Sequence, residues 1–158
     1  MTVGLAVGAA LTFQGWHARR VAPDVAYTLL DGSRGHLQQL RGKVVLVNFW
    51  ATSCAICVHE MPQIVATHER FHARGFETLA VAMRYDPPVH VIRFAETKKL
   101  PFGVVIDNTG EIAKRFGDVQ LTPTTLVLDK RGEIVARILG EPDFPALHAL
   151  VDRLLAES

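Results

Sequence analysis

The chain is poor in cysteine: Cys54 and Cys57 are the only two among its 158 residues. A framework of several structural disulfides is therefore excluded, and cysteine usage alone does not identify the redox compartment. A four-thiolate zinc site is excluded as well, because no second pair is present to complete it. Any chemistry of the two cysteines must arise within one short motif.

Charge of either sign is not concentrated anywhere in the sequence. Lysine and arginine number 17, aspartate and glutamate number 16, and both kinds are scattered along the chain. A nucleic-acid partner would be expected to require a basic block, so we predict no such partner. The sequence also lacks internal repeats and low-complexity linkers, which leaves one soluble domain large enough to build its own core.

A long apolar run is missing too. Residues 1–13 are mostly apolar or small and are followed by Arg19 and Arg20, but a helix that crosses a bilayer core needs ~20 such residues. The stretch has the length of the apolar part of a signal peptide, without a basic start or a clear cleavage site. We predict a signal or anchor segment with its linker over residues 1–21, in or translocated across the inner membrane. A disordered tail on a cytoplasmic protein is the alternative.

The most informative stretch is residues 43–62. Residues 44–49 are mostly apolar at both odd and even positions, which is typical of a strand buried on both faces of a sheet. Thr52 or Ser53 is expected to cap a helix over residues 54–71, where apolar residues recur close to every 3.6 positions. The cysteines are therefore predicted to lie in the first turn of a helix that leaves a central strand.

A helix N-terminus favours a thiolate over a thiol through its free N–H groups and its dipole. Cys54 is the predicted nucleophile and Cys57, nearly one turn deeper, the predicted resolving thiol. The alternatives are two ordinary buried cysteines or a metal half-site with His59. Since His59 lies roughly 200° round the helix from Cys57, at ~100° per residue, we predict no metal ligands. The other histidines are predicted to be surface residues: His17, His36, His68, His72, His90 and His148.

Several separated motifs resemble one known family. Residues 49–57, Pro62 after the second cysteine, and the later Thr122-Pro123 are similar to the thioredoxin superfamily, specifically its membrane-tethered TlpA/ResA-type thiol-disulfide oxidoreductases. The resemblance spans residues 22–156 and implies a thioredoxin-like α/β domain over residues 22–158. This fold has a central mixed sheet flanked by helices on both faces and an added N-terminal β-hairpin, in agreement with the alternating strand and helix patterns.

The resemblance also implies residues on the substrate side of the site. Pro123 is expected in the cis form, in a loop that lies against the cysteines. The backbone of Thr122 is expected to receive an extended client segment by strand addition. Trp50 is assigned to the same group, either packed beside the disulfide or in contact with the client. Where many relatives have tryptophan before the first cysteine, this chain has Ser53.

Glu60 is the third predicted catalytic residue, with Cys54 and Cys57. It follows Cys57 by three positions and so shares its helix face, and its equivalent in the family stands close to the active site. We expect Glu60 to exchange a proton with Cys57, replacing the buried aspartate of thioredoxins proper, which is Asn48 here. The alternative is a carboxylate that only stabilises its helix N-terminus.

The predicted function is thiol-disulfide exchange that needs no cofactor beyond the redox-active disulfide Cys54–Cys57. The resemblance implies a reductase in the bacterial periplasm, anchored to the inner membrane or secreted. It would take electrons from a membrane donor and serve disulfide-containing or dithiol clients, with cytochrome c maturation or copper-site thiols as examples. We expect a monomer. A copper-handling protein that binds Cu(I) through the two cysteines is the alternative from another class.

Overall fold

The computed structural model describes residues 20–158. The predicted N-terminal segment lies outside the described residues except for its last two, which form a short strand. No helix within residues 20–158 is long and apolar enough to cross a membrane. In chain order the elements are β1 (Arg20–Val21), β2 (Ala26–Thr28), β3 (Arg34–His36), a 3-10 turn (Leu37–Leu40), β4 (Val44–Trp50), α1 (Ala55–Phe71), a second 3-10 turn (His72–Arg74), β5 (Phe76–Ala82), α2 (Pro88–Lys98), β6 (Gly103–Ile106), α3 (Glu111–Arg115), β7 (Thr124–Leu128), β8 (Glu133–Leu139) and α4 (Phe144–Ala156).

The main sheet is mixed and has the strand order β1-β8-β7-β4-β5-β6. Strands β4, β5 and β6 are parallel, and the hairpin β7–β8 lies antiparallel to β4 on its other side. Strands β2 and β3 form a separate antiparallel pair ahead of this sheet. These features confirm the predicted thioredoxin-like fold with its added N-terminal hairpin.

Strand β4 is buried along its whole length because helices cover both of its faces. Its side chains alternate between two apolar clusters, as the period of a strand requires. Leu46 and Trp50 join the cluster that includes α1, α2 and α4. Val47 and Phe49 join the cluster that includes α3 and the N-terminal hairpin. The cysteine helix therefore starts from a strand that is buried from end to end.

Helix α3 is only 5 residues long. The carboxylate of Asp107 accepts hydrogen bonds from the N–H groups of Ile112, at 3.1 Å, and Ala113, at 2.9 Å. Gly110 stands at the N-cap with a φ of 75°, a left-handed conformation that glycine adopts without strain. The chain therefore turns at residues 108–110 before the helix begins.

The prediction that His68 is a surface residue is wrong. His68 is only 4% exposed, and its ring atom Nδ1 lies 3.1 Å from Thr78 Oγ1 on β5. Cys57, Ile64, His68 and Phe71 are all buried on α1 and follow one another at helical spacing. The helical period thus places His68 on the inward face, where its ring needs the polar partner that Thr78 supplies.

Candidate active site

The two cysteines lie at the junction of β4 and α1 and form a disulfide, with their Cα atoms 5.2 Å apart. Cys54 is itself the N-cap of α1, and its Sγ accepts the N–H of Cys57 at 3.2 Å. The predicted cap at Thr52 or Ser53 is therefore wrong. The helix begins at Ala55, one residue later than a Ser53 cap and two residues later than a Thr52 cap would give, which places the Cys54 sulfur on the free N–H of Cys57.

The two sulfurs differ in their exposure. Cys57 is fully buried in the core cluster, whereas Cys54 is partly exposed. Of the two sulfurs, only that of Cys54 is therefore accessible to a thiol or a disulfide of another protein. After reduction, the N–H of Cys57 would stabilise a negative charge on the Cys54 sulfur, because a hydrogen bond to the charged form favours that form.

Three loops meet at the end of the sheet that carries the cysteines. Trp50 pairs with Ala82, so the loop after β5 begins beside the cysteine turn. Phe49 pairs with Thr124, so the loop before β7 ends there as well. The bond between Thr122 and Pro123 in that loop is cis, which confirms the prediction.

One short loop, Tyr85–Asp86, contacts both of the other loops. Asp86 is 2% exposed; its Oδ2 accepts the N–H of Thr52 and its Oδ1 accepts the Thr52 hydroxyl, each at 2.6 Å. The exposed hydroxyl of Tyr85 lies 3.4 Å from Thr122 Oγ1. Sequence reasoning missed both residues, because the partners of this loop lie far along the chain and no local spacing signals them.

Glu60 is fully buried, one helical turn beyond Cys57 on α1. Its Oε1 accepts a hydrogen bond from Asn48 Nδ2 at 3.1 Å, and the same Nδ2 lies 3.1 Å from Thr125 Oγ1 on β7. Within residues 20–158, three buried side-chain polar atoms have no hydrogen-bond partner in the protein: Asn48 Oδ1, Trp50 Nε1 and Glu60 Oε2.

Burial raises the pKa of the Glu60 carboxyl from 4.5 to about 7. The hydrogen bond from Asn48 opposes this rise, and the negative charge of Glu141 adds to it. Glu141 follows β8 and reaches α1, where its Oε1 lies 3.8 Å from His59 Nε2. A buried carboxyl with a pKa near 7 can both take up and release a proton at neutral pH, as general acid–base chemistry requires.

Trp50 is fully buried, with its ring centroid 5.1 Å from that of Phe94. The ring lies in the same core cluster as Cys57, which favours the first of the two predicted alternatives, packing beside the disulfide, over contact with a client. The exposed apolar surface near the site comes from other residues. Each is more than half exposed, and together they form the apolar rim: Ile56, Tyr85, Leu121 and Leu139.

A Cys-X-X-Cys disulfide at the start of a helix, after the central strand of a mixed sheet and beside a cis-proline loop, defines a thioredoxin-type redox site. The model of the Redoxin family matches residues 18–151. The chain therefore belongs to the Redoxin family, and it is a thioredoxin-superfamily protein of the ResA/TlpA type.

Individual relatives agree with this assignment. The chain is 37% identical over 96 residues to thiol-disulfide oxidoreductase ResA from Geobacillus thermodenitrificans, covering 61% of this chain and 55% of that protein. It thus spans about half the length of the curated relatives it matches.

Two solved structures extend the likeness over most of the domain. A protein from Neisseria meningitidis described as a thioredoxin is 37% identical, with a TM-score of 0.81 over 87% of this chain and 91% of that chain. A thioredoxin-family thiol:disulfide interchange protein from Chlorobium tepidum is 26% identical, with a TM-score of 0.79 over 87% of this chain and 97% of that chain.

Proposed function

We propose that this protein is a thiol-disulfide oxidoreductase that reduces disulfides of client proteins outside the cytoplasm. The observation that carries the proposal is the unequal pair: a partly exposed Cys54 that caps α1, bonded to a fully buried Cys57. An exposed nucleophile and a protected resolving thiol are what a two-step exchange requires. The names of the relatives from Geobacillus and Chlorobium support the same chemistry.

In the first step, the Cys54 thiolate attacks one sulfur of a client disulfide. A Cys54–client bond forms and the client bond breaks, so one client sulfur leaves as a thiolate. In the second step, Cys57 gives its proton to Glu60 and attacks the Cys54 sulfur. The Cys54–Cys57 bond closes and the second client thiolate leaves, taking the proton back from Glu60 or from water. Two electrons pass from the protein to the client.

The apolar rim is suited to hold an extended client segment over Cys54. Ile56 lies between the two cysteines, and Leu121 lies just before the Thr122-Pro123 bond. A client strand would pair with the backbone of Thr122 and place apolar side chains on these residues. Side chains of this kind recognise many sequences, which suits a reductase with several clients. The proposed clients include c-type cytochrome precursors and proteins with copper-site thiols. We propose a membrane protein as the electron donor, and we propose that the domain is a monomer.

A fluorescence titration tests the reductase direction. Trp50 lies in the same buried cluster as Cys57, so we expect its emission to change when the disulfide opens. The midpoint should fall near the ~−270 mV of a reducing thioredoxin, whereas a midpoint near ~−120 mV would identify an oxidant and overturn the assigned direction. The measurement should use a Trp16→Phe variant to remove the other tryptophan, with Trp50→Phe as the control that loses the signal.

The proposed location outside the cytoplasm rests on the apolar stretch of residues 3–16 and on the similarity to ResA. A reporter enzyme that is active only in the periplasm, fused after Ser158, should be active behind the full chain. The same fusion without residues 2–16 should be inactive, which is the matched control. Equal reporter activity with and without these residues would contradict a role for the stretch in export.

A further inference from the structure

Three potential metal ligands meet at the end of α1 away from the cysteines. His68 lies in the last turn of α1, His72 follows one turn later at its C-cap, and Glu77 is the second residue of β5. One ligand atom from each residue lies within 4.8 Å of the other two. His68 follows Cys57 by about 16 Å along the helix at ~1.5 Å per residue, so the cluster is separate from the disulfide site.

The carboxylate of Glu77 faces the Nδ1 atoms of both imidazole rings. Its Oε1 is 3.9 Å from His68 Nδ1 and its Oε2 is 3.9 Å from His72 Nδ1. The two rings are stacked with their centroids 4.6 Å apart, so the same nitrogen of each ring turns toward the same carboxylate. A single atom placed among these three groups would be within reach of all of them.

The surrounding residues hold this arrangement in place. His68 is fixed by Thr78 Oγ1 at 3.1 Å and by the ring of Phe102, whose centroid is 5.4 Å away. The N–H of Thr78 donates to Glu77 Oε1 at 3.1 Å and fixes the carboxylate. A hydrogen bond of the second kind orients a ligating carboxylate, whereas the contact of His68 Nδ1 with Thr78 holds the ring but occupies a potential ligand nitrogen. His72 is the exposed member, so the cluster opens to solvent on its side.

We propose that His68, His72 and Glu77 form a binding site for a divalent transition-metal cation of the Zn²⁺ class, with solvent as the fourth ligand. Two imidazoles and one carboxylate are a ligand set that Zn²⁺ accepts, whereas Ca²⁺ and Mg²⁺ prefer oxygen ligands alone. With metal–ligand bonds of ~2.0–2.2 Å, the donor atoms must approach one another to ~3.3 Å. His72 and Glu77 are both incompletely buried and can make this movement, while His68 stays in place.

Three present contacts compete with a bound cation. His68 Nδ1, the nitrogen that faces Glu77, lies 3.1 Å from Thr78 Oγ1. The ammonium of Lys43 lies 3.9 Å from Glu77 Oε2, and His72 Nδ1 lies 3.1 Å from the carbonyl of Phe76. All three would be given up on binding. Lys43 is about half exposed and can turn into solvent. The bound cation would fasten the end of α1 to the start of β5 across the turn His72–Arg74, so its role would be structural.

Zinc titration of the oxidised protein tests the site, because the disulfide keeps both sulfurs from binding metal. By calorimetry we expect one Zn²⁺ per chain. His72→Gln and Glu77→Gln should each weaken binding ~10-fold or more, and Lys43→Met should tighten it by removing the competing charge. His90→Gln, which changes an exposed histidine on α2, is the matched control and should leave binding unchanged. Zn²⁺ should also raise the unfolding midpoint of the wild type.

The proposal is overturned if the wild type takes up no Zn²⁺ below ~1 mM, a concentration that corresponds to only weak binding. It is also overturned if His72→Gln and Glu77→Gln bind Zn²⁺ as the wild type does. Buried His68 is left unchanged in these variants because its loss threatens the fold. Should the two variants prove unstable, the visible spectrum of Co²⁺ bound to wild type and Lys43→Met decides: no imidazole-ligated spectrum in either protein refutes the site.

Discussion

Replacing Cys54 by serine is expected to lower the rate of disulfide reduction ~10³-fold or more, in line with the loss of a catalytic nucleophile. Cys57→Ser should behave differently and accumulate a mixed disulfide with the client. The reason is structural. Cys54 is partly exposed, and its sulfur accepts a hydrogen bond from the N–H of Cys57, whereas the Cys57 sulfur is fully buried and contacts no client disulfide directly.

Mass spectrometry of each variant, mixed with a disulfide-bonded protein, would detect the covalent intermediate while a coupled assay measures turnover. Ser53→Ala is the matched control, since Ser53 is exposed beside Cys54 and no step of the mechanism uses it. Alkylation of the reduced wild type at graded pH adds a direct test, in which Cys54 should react first and at lower pH. Equal reactivity of the two thiols would contradict the unequal roles.

Glu60→Gln is expected to slow exchange by ~10²–10⁴-fold, the range of general acid–base catalysis. Glutamine keeps the shape of the side chain and its bond to Asn48, but it has no proton to exchange with Cys57. The wild-type rate should depend on pH around the Glu60 pKa of about 7, and this dependence should disappear in the variant. Glu69→Gln, at an exposed position of the same helix, is the control.

The same substitution should change the pH dependence of stability. The pKa of Glu60 rises from 4.5 to about 7 on folding, so the folded state binds the proton more tightly than the unfolded state. The wild type should therefore lose stability as pH rises from 4.5 to about 7. At 1.36 kcal/mol per pKa unit, the full effect is roughly 3 kcal/mol.

Urea unfolding of oxidised wild type and Glu60→Gln at about pH 5 and about pH 8 would measure this effect. Relative to the wild type, the variant should gain stability between the two conditions. A carboxylate that merely stabilises the helix N-terminus predicts the opposite sign, because its ionised form would be the favoured one. A wild type that gains stability relative to the variant would therefore restore that simpler interpretation.

Local patterns in the sequence were enough to predict the elements that carry the cysteines. The two-sided apolar run of β4 and the helical period of α1 (Ala55–Phe71) each depend on neighbours close in sequence, and both elements are found where these patterns indicate. The helical period also places Glu60 beside Cys57. The catalytic roles of these residues remain predictions.

Contacts between distant segments could not be predicted in this way. The bonds from Thr52 to Asp86 and from Asn48 to Thr125 join residues that are far apart in the chain. Neither pair has a spacing that a single sequence reveals. The N-cap of α1 was predicted wrongly for a related reason. Thr52 is a good cap by residue type, but its hydroxyl is already bonded to Asp86. The sulfur of Cys54 accepts the N–H of the first turn instead.

The loop that holds Tyr85 and Asp86 divides two tasks between adjacent residues. Asp86 faces inward and fixes the turn before Cys54, while Tyr85 faces outward beside Thr122. Substitutions at Tyr85 can therefore alter the surface offered to clients and leave the anchoring of the cysteine turn unchanged. In the proposed function, this division separates the residue that would contact a client from the residue that holds the redox centre in place.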